Sequence, residues 1–282
     1  MPRKQVRTHV PSIVGMGLVA LDVVISDKKA DSQFTYAGGT CGNVLMALTY
    51  LGWKAYPISR LGQDKAAERV ISDLHQWKIS TEFISKRVDG STPVIIQRIR
   101  HLANGIPHHS FSWRCPSCGA HLPSYKPILA SMVEGIALRL SPSKVFFFDR
   151  VSRGTLLMAH LSRKRGAVVM FEPASIGDPG LFREAWSVAH IVKYAHERLS
   201  ALSEMEIPDS IRDSVLLEIE TCGSEGLRFR STLPHAKSDG WVSASAFRAP
   251  YLKDAAGAGD WCTAGILDVL ARNGIVGFKQ AS

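Results

Sequence analysis

Near the C-terminal end of the chain three small residues, Gly257, Ala258 and Gly259, stand directly before Asp260 and an apolar run with helical spacing. A helix that begins near Ala258 offers unpaired backbone N–H groups and the positive end of its dipole, and the two glycines allow close backbone approach. The stretch therefore suits an anion, above all a phosphate. An aspartate in the first helical turn is either a favourable N-terminal charge or a base for a hydroxyl held beside that anion hole. Taken alone, the same run could be a flexible turn.

Two further glycine turns carry polar side chains. Near the start, Asp22 precedes AGGTCGN, which contains Gly38, Gly39 and Asn43. Asp22 and Asn43 can accept from and donate to hydroxyls, although an Asx turn and a helix N-cap account for them equally. Later, TCGSEG places Thr221, Gly223 and Gly226 in what reads by itself as an ordinary strand-to-helix loop. The CPSC run sets Cys115 and Cys118 at the spacing of half a tetrahedral zinc site, with His108, His109 and His121 available to complete it and His121 the first choice. With no second C-x-x-C, unpaired thiols in a polar loop or a loop that meets another subunit remain alternatives.

These residues need a scaffold, and the pattern supplies one. Ile13 to Val19 reads as a buried first strand, and VLMALTYLGW as a helix stopped at Gly52. KAYPISRLG reads as a strand, AAERVISDLHQWKI as a helix and TPVIIQRIR as an extended segment. KVFFFD and AVVMFEP are apolar runs that end in an acid, separated by the helix-like RGTLLMAHLSRKRG; HIVKYA and VLLEIETCGSEG add strands. Such alternation predicts a mostly parallel sheet covered by helices on both faces, with ligands at the C-terminal strand ends. The glycine turns and the acidic strand ends are thus candidates for one shared cleft. Residues 101–127 differ sharply from their surroundings and read as an insertion.

The bulk properties agree. A chain of 282 residues with 45% apolar content can bury a sizeable core. Five scattered cysteines argue against a secreted disulfide framework and for a reducing cytoplasm. No run approaches the roughly 20 apolar residues that span a bilayer, so no membrane partner is expected. The net charge of +9 suits anionic nucleotides; with no nucleic-acid-binding signature beside it, DNA or RNA is not expected.

DAAGAGD together with AGGTCGN resembles the two signatures of the ribokinase family of sugar kinases, also called the PfkB family. GLVALD with Asp22, the LGQD turn at residues 61–64 and TCGSEG extend the similarity over nearly the whole chain. The resemblance implies a single three-layer α/β/α domain over residues 1–282, with a mostly parallel central sheet and a small β lid from segments near 23–36 and 91–113. Phe111 and Trp113 are expected to pack that lid. It implies ATP-dependent phosphoryl transfer to a hydroxyl of a sugar or sugar-like compound. Asp260 would be the base, the N–H groups of Ala258, Gly259 and Asp260 the anion hole, and Asp22, Gly38, Gly39 and Asn43 the acceptor site.

By the same resemblance Thr221, Gly223, Gly226 and Asp254 would lie near the nucleotide. Mg²⁺ is expected with ATP, and a monovalent cation could sit on backbone carbonyls near Ala255 and Ala256; outside the family pattern, zinc on Cys115, Cys118, His121 and His109 would be structural. A homodimer through the lid is compatible with this reading. The sequence departs from the family at KYAHER, where Ala195 and Arg198 occupy an Asn-x-x-Glu-like motif and Glu197 is the nearest substitute. The chain also stops 22 residues after Asp260, so a C-terminal shortening is expected. The rivals are a nucleoside kinase of the same superfamily and a catalytically weak sugar-sensing or partner-binding protein on the same fold.

Overall fold

The computed structural model describes residues 10–26, 33–101, 107–198, 208–212, 214–233, 237–238, 240–247 and 255–272. The elements begin with β1 (Ser12–Met16), β2 (Ala20–Ser26), β3 (Gln33–Gly38), α1 (Thr40–Tyr50), β4 (Lys54–Leu61), α2 (Lys65–Gln76) and β5 (Ile84–Lys86). Then come β6 (Val94–His101), β7 (Pro107–Ser112), α3 (Ala130–Arg139), β8 (Val145–Phe148), α4 (Arg153–Lys164), β9 (Val168–Phe171) and α5 (Pro179–Val188). The last are β10 (Ile191–Ala195), the short α6 (Asp209–Arg212), β11 (Leu217–Thr221), β12 (Leu227–Ser231), β13 (Val242–Ala244) and α7 (Ala258–Arg272).

The main sheet runs β13-β12-β11-β10-β9-β8-β1-β4-β5. From β11 to β5 every pairing is parallel, while β12 and β13 close the far edge antiparallel. Parallel strands need both faces covered, which is why β8 reads VFFF without a polar residue. Val145 and Phe147 pack with Leu45 and Leu48 of α1, Val70 of α2 and Leu267 of α7. Phe146 and Phe148 join Val133 of α3, Leu156 of α4 and Trp186 of α5 on the other face. The expected three layers are present.

A separate sheet of order β3-β2-β6-β7 forms the small β unit. The first strand of the main sheet ends at Met16, earlier than the apolar run suggests, and the chain enters β2 at Ala20. Two helices have side-chain N-caps that fix where they begin: Asp64 accepts from Ala67 N–H for α2, and Ser152 accepts from Thr155 N–H for α4. The cap of α1 differs. Gly39 holds φ +79°, and a Cβ there would stand 2.6 Å from the Leu18 carbonyl oxygen. Only glycine fits so close an approach in that conformation. Among the described residues, no helix is long and apolar enough to cross a membrane.

Candidate active site

Asp260 lies in the first turn of α7, where Gly257 at φ +76° turns the chain into the helix. The Ala258 N–H bonds to the Ala255 carbonyl at 3.2 Å, and the helical ladder starts with Trp261 N–H to the Gly257 carbonyl at 2.9 Å. Helix geometry thus leaves the N–H groups of Gly259 and Asp260 facing out of the helix end. The expectation that Ala258 also contributes an open N–H is corrected: its donor closes the preceding turn.

α7 is docked against α1, and the docking brings together residues from opposite ends of the chain. Trp53 Nε1 donates to Asp268 Oδ1 at 2.8 Å, and Arg272 Nη2 donates to the Leu51 carbonyl at 2.9 Å. At the other end of the interface Asn43 Nδ2 donates to Asp260 Oδ2 at 2.8 Å. Asn43 sits inside α1, its own N–H bonded to the Gly39 carbonyl, so it is not the helix cap that the sequence allowed. Burial pushes the Asp260 carboxyl up to about 7; the Glu172 carboxylate adds to the rise, and Asn43 and Lys193 oppose it.

Below this turn lies a buried polar cluster. Lys193 Nζ on β10 donates to Glu172 Oε1 at 2.7 Å, and Thr263 Oγ1 on α7 donates to Glu172 Oε2 at 2.5 Å. A Cβ built on Gly259 would lie 3.9 Å from Lys193 Nζ, so the ammonium sits close beneath the start of α7. Beside it, Asp149 follows β8 fully buried. Its Oδ1 accepts from Leu18 N–H at 2.8 Å and its Oδ2 from Arg150 Nη1 at 2.9 Å. Asp149 and Glu172, the acids that end KVFFFD and AVVMFE, both bear electrostatically on Asp260. Lys193 escaped sequence reading because nothing in the alternation of HIVKYA marks a buried cation as special.

Asp22 on β2 lies against Gly38, where a Cβ would come 2.0 Å from Asp22 Oδ2. Its Oδ1 is buried without a hydrogen-bond partner, and burial raises the carboxyl to about 6 against the opposing Gly39 N–H. A partnerless buried carboxylate oxygen is costly unless a ligand completes it. Sheet register puts Tyr36, Asp22 and Ile95 in one row of the small sheet and Phe34, Val24, Gln97 and Phe111 in the next, on the same face. That face turns toward α7: Gln97 bonds His109 Nδ1, and His109 Nε2 accepts from Ala255 N–H at 3.4 Å. Phe111 on β7 and Trp113 just after it are 57% and 38% exposed.

Thr221 ends β11 beside Ala195 of β10, at the same edge of the main sheet. The turn after it joins β11 to antiparallel β12, so it is a hairpin and not the strand-to-helix loop read from sequence. Gly226 at φ +104° is fixed by packing, since a Cβ would stand 2.2 Å from the Ala244 carbonyl oxygen; around Gly223 at φ +56° there is open space. At the altered KYAHER stretch, Ala195 closes β10, and Glu197 and Arg198 lie exposed in a single 3₁₀ turn. Asp254 lies outside the described residues.

The cysteine and histidine set does not assemble. Among the described residues no group of three or more His, Cys, Asp or Glu could hold a metal ion. His109 is committed to Gln97 and Ala255. Cys115 is hydrogen-bonded by the Ser117 hydroxyl and by backbone N–H groups of Cys118 and Ser117, which hold its thiol down at about 6. Among the described residues, both oxygens of Glu172 and of Asp149 are hydrogen-bonded within the protein.

Residues 11–97 match the sequence profile described as pfkB family carbohydrate kinase. No curated protein matches the chain. Solved structures do. A Burkholderia thailandensis nucleoside kinase in complex with inosine is 18% identical, covering 91% of this chain and 82% of its own, with a TM-score of 0.66. A Xylella fastidiosa fructokinase with bound ATP is 16% identical over 93% of this chain and 81% of its own, at 0.68. An aminoimidazole riboside kinase from Salmonella enterica is 21% identical over 93% and 85%, at 0.63. The fold is that of the ribokinase-like kinases, and the pfkB resemblance read from sequence holds for the matched segment.

Proposed function

We propose that this ribokinase-like chain transfers the γ-phosphoryl group of ATP to a hydroxyl of a sugar-like molecule. The observation that carries the reading is Asp260. It is a half-buried residue at the open N-terminus of α7 whose carboxyl is hydrogen-bonded to Asn43 and raised to about 7. A base matched to neutral pH is effective in proton transfer. Asp22, whose Oδ1 lacks a partner, and Asn43 hold the acceptor. Asp260 takes the proton of the acceptor hydroxyl as its oxygen attacks phosphorus. The N–H groups of Gly259 and Asp260, with the Lys193 ammonium beneath, stabilise charge on the transferred group, where positioning and electrostatics do most of the catalysis.

Mg²⁺ enters with the nucleotide as part of the substrate, in keeping with a metal that retains water and phosphate ligands. Thr221, Gly223 and Gly226 border the nucleotide side. The small sheet covers the acceptor and limits water near the reacting hydroxyl.

A nucleoside is a second acceptor class that a specific observation favours. Phe34, Tyr36 and Phe111 lie 43%, 50% and 57% exposed on the face that carries Asp22 and Gln97, which suits a flat ring attached to a ribose. The inosine and aminoimidazole riboside named for two similar structures support the same choice. A screen of ATP consumption over sugars and nucleosides, with Asp260→Asn as the control, tests both readings. Phosphorylated product from the parent and about 10²- to 10⁴-fold less from the variant is expected; equal turnover by the two proteins overturns the reading.

A further inference from the structure

We propose that Cys115 and Cys118 form a thiol–disulfide exchange site on the hairpin that follows β7, with a low-molecular-weight disulfide as co-reactant. After Ser112 the chain doubles back. Arg114 and His121 pair in an antiparallel bridge, the Cys115 N–H bonds the Ala120 carbonyl at 2.8 Å, and the Leu122 N–H bonds the Trp113 carbonyl at 2.9 Å. The Gly119 N–H bonds the Cys115 carbonyl at 2.9 Å, Gly119 takes φ +71°, and Arg114 Nη1 donates to the Gly119 carbonyl at 3.1 Å.

A turn closed from i to i+4 has the spacing of one helical turn, in which residues three apart have Cβ atoms about 5–6 Å from each other. A disulfide holds its Cβ atoms roughly 3.5–4.5 Å apart, so forming the bridge requires the exposed turn to draw the two side chains somewhat closer together. The Cys115 sulfur bonds the Ser117 hydroxyl at 3.0 Å within the same turn that carries Cys118. Cys118 is exposed and Cys115 half-buried, so a small reagent reaches them. The remaining cysteines differ: Cys41 is buried in α1, and Cys222 and Cys262 sit half-buried on separate elements.

The exchange balances in two steps. The Cys115 sulfur attacks one sulfur of the external disulfide; a mixed disulfide forms, the external S–S bond breaks, and the departing thiol takes the proton that Cys115 gives up. The Cys118 sulfur then attacks the Cys115 sulfur and displaces the second external thiol, which takes the Cys118 proton. The protein dithiol is oxidised by the loss of two hydrogens, and the co-reactant is reduced to two thiols.

The test treats the fully reduced chain with oxidised glutathione, quenches with an alkylating agent and maps peptides by mass. The expected result is loss of alkylation at Cys115 and Cys118 together, through a bridge that a dithiol reductant reverses. Cys118→Ser should accumulate glutathione on Cys115, and Cys115→Ser should form no bridge. The proposal is overturned if Cys115 and Cys118 oxidise no faster than Cys222 and Cys262. It is also overturned if the purified chain carries stoichiometric zinc whose removal by a chelator is needed before either thiol reacts.

Discussion

Asn43 Nδ2 and Asp260 Oδ2 are 2.8 Å apart although 217 positions separate them in the chain. Asn43 lies in the first turn of α1, just after the glycines that leave the small sheet, and Asp260 in the first turn of α7, so this bond ties together the two helix ends that the proposed function assigns to acceptor and base.

Asp260→Asn should reduce turnover by about 10²- to 10⁴-fold, the range expected when a general base is lost. Nucleotide affinity should be unchanged, because the amide fits the same space. Steady-state kinetics alongside titration with ATP separates the two effects, and near-parent turnover would exclude Asp260 as the base.

The parent rate should fall as pH drops through about 7, where Asp260 becomes protonated. Its neighbours should move that limb in opposite directions. Glu172→Gln removes an anion and shifts the limb to lower pH; Lys193→Met removes a cation and shifts it to higher pH. Because each variant leaves a buried partner unpaired, each should also cost about 3–5 kcal/mol of stability. Rate profiles measured well below the melting temperature, with chemical denaturation run in parallel, check both statements.

Asp22→Ala should weaken acceptor binding far more than ATP binding, by about 1–3 kcal/mol for each hydrogen bond lost to a partner left unsatisfied. Asn43→Ala should do the same and, by removing a donor to the carboxylate, raise the acid limb of the rate. Equal losses for ATP and acceptor would show that these residues do not line the acceptor site.

Stability should also depend on Asp260. Its carboxyl binds a proton more tightly in the folded chain, at about 7 against a reference value of 3.8. The cost to the fold is therefore absent below about pH 4, grows as pH rises, and is complete above about 7. At about 1.4 kcal/mol per pH unit the ceiling is about 4 kcal/mol. Asp260→Asn should be more stable than the parent at pH 8 and no more stable at pH 4, as denaturant midpoints would show.

Gly39→Ala should destabilise the fold and impair acceptor binding together. Its added Cβ would press on the Leu18 carbonyl in a left-handed backbone, at a cost of about 1–3 kcal/mol. Thermal unfolding with and without acceptor measures both effects.

The sequence by itself determined the layered sheet, because uninterrupted apolar strands such as VFFF can be satisfied only with helices on both faces. It also marked the glycine turn into α7, since Gly257 and Gly259 before an apolar helix are a local signal. Tertiary structure decided what surrounds that turn. Lys193, Glu172 and Thr263 come from three elements, and no local pattern shows that their side chains converge beneath Gly259. Asn43 looked like a cap until docking of α1 on α7 brought it to Asp260. For the zinc reading, C-x-x-C spacing and His121 are local to one hairpin, whereas His109 depends on the register of β7, which carries it to Ala255 instead; among the described residues no group of three ligands assembles. Short-range geometry is written in residue order, but electrostatic environment depends on which strands become neighbours, and only the folded chain sets that.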